Sequence, residues 1–95
     1  MVITSFEKIE KEKIEDLRFP ASDVLTDSVE KSERKANLER ALALGNLEHS
    51  KIKIYFEDDT SCKVVETTVW GVTDNRVILK QGVVIPTHRI YSVSV

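Results

Sequence analysis

Two histidines, His49 and His88, one cysteine, Cys62, and the adjacent pair Asp58-Asp59 are the residues whose types could do chemistry. Nucleophilic catalysis needs a thiol or hydroxyl, a base and an orienting group on a scaffold that keeps water out. Cys62 with His49 or His88 supplies the first two by type, but Cys62 stands in a largely apolar strand-like stretch where a free cysteine reads as a small core residue. Asp58 and Asp59 close an apolar alternation and precede Thr60, so they read as turn formers with solvated charges, not as ligands for a hard cation. His49 follows a helix end, where its protonated form meets the negative pole of the helix. His88 lies between Pro86 and Ile90 and reads as a turn imidazole bonded to backbone, with ligand contact as the sharper alternative. The glycines Gly45, Gly71 and Gly82 are isolated, which leaves no phosphate-cradling loop and no dinucleotide fingerprint. No catalytic residue, metal or cofactor is expected, and a small enzyme built on His88 is the remote alternative.

Nucleic-acid binding asks for a basic surface with aromatic rings on which bases stack. Residues 51–95 carry Lys51, Lys53, Lys63, Arg76, Lys80 and Arg89, with Tyr55 and Tyr91 among them, although their excess over acids is only one charge. The expected contact set is Lys53, Tyr55, Arg76, Lys80, His88 and Arg89, with Arg76, Lys80, His88 and Arg89 on one face. Lys51 and Lys53 also suit a strand edge kept soluble by charge. Trp70 is expected to fill the core or pack under a helix.

Such residues need elements to hold them, and 95 residues support one modest core, burying about 65% of the extended surface. That excludes a two-domain enzyme with an interdomain cleft. Charged residues make up 32% of the chain, against a usual share of about 25%, yet the net charge is only -2 and announces no polyanionic partner. No apolar run approaches the ~20 residues of a membrane span, and no signal peptide is evident. Cys62 is alone, so no intramolecular disulfide is possible, and a reducing cytoplasm is the expected compartment.

The chain changes grammar near His49-Ser50. Residues 51–95 hold 19 Val, Ile and Thr, whereas residues 1–50 hold 8, and β-branched residues suit a pleated surface. A helix is expected over 27–45, capped by Asp27 or Ser28 with Glu30 at capping-box spacing and ended by Gly45-Asn46. Leu38, Ala41, Leu42 and Gly45 share its buried face, while Glu30, Glu33, Arg34 and Arg40 stay wet and the first two turns project beyond the core. Upstream, Phe6, Ile9, Ile14 and Leu17 form a looser helical pattern in an arm and connection over 1–26, suited to gripping a partner. From Lys51 the period is two: Ile52, Ile54 and Phe56 alternate with Lys51, Lys53 and Tyr55. Cys62 to Val72 is apolar on both faces in places and so bends to serve two sheets, with Gly71 as the kink. Residues 76–80, 83–86 and 89–93 complete the set. The expected fold is α+β: one domain over 27–95 with a helix on a five-stranded, strongly bent antiparallel barrel of SH3-like form.

Lys53-Ile-Tyr-Phe56 with the Asp58-Asp59 turn, Asp74-Asn-Arg-Val-Ile-Leu79 and His88-Arg-Ile-Tyr-Ser-Val93 resemble the Sm-like family, which includes the bacterial host-factor RNA chaperones. The resemblance covers about half the chain. Arg34 to Asn46, Val65-Glu-Thr-Thr-Val-Trp70 and Ile85-Pro86 look like a group of small uncharacterised conserved bacterial proteins. The Sm-like resemblance implies a homo-oligomeric ring joined by the last two strands of neighbouring subunits, RNA near the turns, and His88 as the histidine before the last strand. The chain departs from the pattern at Thr87, where a basic residue is usual, at Val65-Glu66, where a glycine is common, and at Arg89-Ile90 in place of Arg-Gly. The resulting expectation is a non-enzymatic binding module for nucleic acid or a regulatory partner, with a protein-protein adaptor acting through the arm or the helix as the alternative.

Overall fold

A computed structural model describes residues 5–94. Residues 1–4 of the expected arm and residue 95 of the expected domain lie outside the described residues. The helix α1 spans Ser28–Glu48, and the Asp27 side chain caps it by accepting from the Val29 N–H at 2.8 Å. It runs past the expected stop at Gly45-Asn46 and ends on His49, whose φ of 53° is left-handed and whose N–H donates to the Gly45 carbonyl. Gly45 lies inside the helix because that position presses on a strand: an added Cβ would collide with the Val69 carbonyl oxygen. Its lack of a side chain permits close approach and does not end the helix. Leu38, Ala41 and Gly45 are buried as expected. Arg34, expected to be wet, is buried with them.

Among the described residues, seven strands form two sheets. They are β1 (Glu7–Lys8), β2 (Ile52–Glu57), β3 (Cys62–Thr67), β4 (Val69–Val72), β5 (Arg76–Leu79), β6 (Val84–Pro86) and β7 (Ile90–Ser94). One sheet has the order β1-β3-β2-β7, the other β4-β5-β6. Alternation in β2 holds, with Ile52, Ile54 and Phe56 buried and Lys53 exposed. The long apolar stretch does bend between sheets, but at Thr68, whose carbonyl accepts from the Lys80 N–H at 3.0 Å. Gly71 instead pairs with Ile78 just after a register shift between β4 and β5.

The expected five-stranded barrel is corrected on two points. The interruption at Thr68 and the addition of β1 raise the strand count to seven, and β6 does not pair with β7, so the sheets do not close. The α+β class stands: α1 packs on β4 and β7, and its Leu38 and Ala41 join Ile54, Phe56, Val69, Leu79, Ile85 and Ile90 in one core.

The segment before α1, whose apolar residues follow a loose helical pattern in sequence, is part strand and part 3-10 helix. β1 pairs in parallel with β3, a 3-10 turn follows over Lys11–Asp16, and Ile14 is 2% exposed in the same core. Ile9 and Leu17 pack against that core, and Phe6 stands edge-on to Tyr55. Residues 18–25 are then held by alternate carbonyls: Arg18 accepts from the Asp59 N–H, Pro20 from His88 and Ser22 from Arg89. No helix among the described residues is long and apolar enough to cross a membrane.

Candidate functional site

The turn Thr87–Arg89 carries two of the expected contact residues, and both are committed inward. Arg89 is buried, and its guanidinium donates to the carbonyls of Glu57 at 3.1 Å, Ser22 at 2.9 Å and Asp58 at 3.4 Å. A fork of five N–H donors suits such a joint between three chain segments. His88 Nε2 lies 2.9 Å from the Pro20 carbonyl, which can only accept, so Nε2 carries the hydrogen. Arg76 and Lys80 are exposed but flank β5 at opposite ends, Arg76 opposite Pro86 and Lys80 beside Thr68. The expected cluster of Arg76, Lys80, His88 and Arg89 therefore does not form. Its missing members were drawn in by the carbonyls of the connecting segment, which composition does not reveal.

Asp58 corrects a second expectation. It is 1% exposed, and its Oδ1 accepts from the Thr60 N–H, the Thr60 hydroxyl and the Ser61 N–H, while Lys63 Nζ donates to Oδ2 at 2.6 Å. Burial pushes this carboxyl up, but the Lys63 ammonium and the turn donors outweigh it and hold the group down at about 2. Asp59 is the solvated member of the pair. Lys63, counted by sequence among surface cations, is buried by the same contact. The signal available in advance was Asp58-Asp59-Thr60-Ser61, a run suited to an Asx turn.

On the outer face of the β1-β3-β2-β7 sheet, Lys53 and Tyr55 share a shallow notch of about 110 Å³ with Lys8, Val64 and Glu66. Phe6 lies edge-on to both Tyr55 and Tyr91, at 5.1 and 5.9 Å between ring centres. The Tyr91 hydroxyl donates to Glu57 Oε1, and burial with this contact raises its pKa. Cys62 beside them is half-buried, and burial followed by the Glu57 charge pushes its thiol up, away from the reactive thiolate. Trp70 is 53% exposed, so it neither fills the core nor lies sealed under the helix. The register shift between β4 and β5 falls at Trp70, between the pairs Val69↔Leu79 and Gly71↔Ile78.

A larger groove of about 450 Å³ runs between α1 and the turn after β4. Leu38, Leu42 and Val72 give it apolar lining, and Lys31, Lys35 and Asp74 stand along it. Arg34 also lines it but is occupied, with both terminal nitrogens 2.9 Å from the Asp23 carboxylate and Nη1 also donating to the Ile90 carbonyl. The Arg34 guanidinium holds Asp23 at about 2 against the opposing effect of burial. Thr87 lines the groove as well, and among the described residues its hydroxyl is the buried side-chain polar atom without a hydrogen-bond partner.

Neither cavity is lined by His88. Among the described residues no group of three or more His, Cys, Asp or Glu is placed to hold a metal. A scan against protein-family models and searches of curated proteins and of solved structures return no match to this chain.

Proposed function

We propose that the chain is a non-enzymatic binding module of SH3-like, Sm-like build that self-associates by pairing β6 of one copy with β7 of the next and presents the assembly to nucleic acid. The observation that carries this reading is the unclosed gap: among the described residues β6 pairs with β5 alone, and β7 with β2 alone. Free edges in a monomer are normally guarded by charge. Here Val84-Ile-Pro86 and Ile90-Tyr-Ser-Val-Ser94 contain no charged residue, and Val84 is 38% exposed. Arg34 occupies the Ile90 carbonyl, which leaves Tyr91 to Ser94 for a partner strand. Lys53, Arg76 and Lys80 remain exposed for phosphate contact, with Tyr55 half-buried beside Lys53.

The adaptor reading through the arm has less support, because Ile9, Ile14 and Leu17 are spent on the chain's own core and Phe6 on Tyr55 and Tyr91. The test is Val84→Lys, which adds one charge to an exposed edge position. The native mass is expected to fall to that of one chain while circular dichroism shows the fold retained, and short RNA is expected to bind the variant more weakly. An unchanged native mass overturns the reading.

A further inference from the structure

We infer that the groove between α1 and the turn after β4 binds a short peptide segment whose acidic residues are followed by an apolar anchor. Its α1 wall runs from Lys31 to Leu42, which at 1.5 Å per residue is about 16 Å of helix and matches roughly five residues of extended chain at about 3.3 Å each. The volume of about 450 Å³ suits a few side chains, and is small for a folded domain face.

Charge selects the occupant. Lys31 and Lys35 lie one turn apart on α1, both are exposed, and among the described residues neither has a carboxylate within ion-pair distance. Arg34 between them is neutralised by Asp23. Further along the helix Leu38 and Leu42 face the groove with Val72, and Glu39 lines it too, with Asp74 on the turn opposite. Acidic residues of the peptide thus meet Lys31 and Lys35, and an apolar side chain covers Leu42 and Val72. Glu39 and Asp74 reject a segment that is acidic throughout.

The test uses the full chain on an array of synthetic pentapeptides carrying two Asp or Glu followed by Leu, Ile or Phe, beside counterparts with the acids changed to Lys. Retention of the acidic-apolar set over the basic set is expected. The Lys31→Glu, Lys35→Glu double variant should weaken it about tenfold or more at low salt. Equal retention of acidic and basic sets, or undiminished binding by the double lysine variant, overturns the inference. Val84→Lys leaves the groove untouched, so peptide binding by that variant is read independently of self-association.

Discussion

Lys63 Nζ stands 2.6 Å from Asp58 Oδ2 at the β2–β3 hairpin, and both side chains are buried. Removing the cation strands a carboxylate that cannot return to water, which costs about 3–5 kcal/mol, whereas an exposed pair is worth ~1 kcal/mol or less. Lys63→Met should therefore lower the unfolding free energy by about 3 kcal/mol in chemical denaturation, and a loss under ~1 kcal/mol contradicts the buried geometry.

Acid should unfold the protein through Asp23 and Asp58. Both carboxyls are held at about 2 in the folded chain, below the value near 4 of an unfolded aspartate. Their stabilisation is fully present above about pH 4 and is lost as the pH falls towards 2, because the unfolded chain binds those protons more readily. A titration of unfolding free energy should decline across that window, and Asp23→Asn should flatten part of the decline. An Asp23→Asn curve parallel to the wild type throughout contradicts the role of the Asp23–Arg34 pair.

Gly45→Ala sets two effects against each other. Alanine favours a helix interior by about 1 kcal/mol over glycine, but the new methyl collides with the Val69 carbonyl oxygen, which is backbone and cannot swing aside. Overpacking of this kind costs about 1–3 kcal/mol, so net destabilisation is expected in a thermal melt. A more stable variant would show that α1 does not press on β4 at this point.

Trp70 gives a spectroscopic check, since it is the chain's single tryptophan and half of it is open to solvent. The native protein should emit close to the wavelength of free tryptophan and be quenched readily by acrylamide. A blue-shifted, protected emission contradicts the exposed placement.

The sequence made periodic elements legible and local capture illegible. Ile52, Ile54 and Phe56 alternate because one face of β2 is core, and Leu38, Ala41 and Gly45 share a helix face for the same reason. Gly45 reads as a stop in sequence because a glycine that ends a helix and one that lets a helix touch a strand look alike in one dimension. Arg34, Lys63 and Arg89 read as surface cations in sequence, because what buries them is Asp23, Asp58 and the carbonyls of residues 22, 57 and 58. Those partners lie up to 67 residues away in the chain. Thr87 became visible only as a hydroxyl without a partner in a groove that no spacing announces.

The most direct test of the account is the native mass of the purified chain by light scattering across a range of concentrations, with and without a mixed pool of short RNA. Pairing of β6 with β7 between copies predicts a mass that is a multiple of 10.8 kDa and grows when RNA is added. A mass of one chain at every concentration, indifferent to RNA, contradicts it.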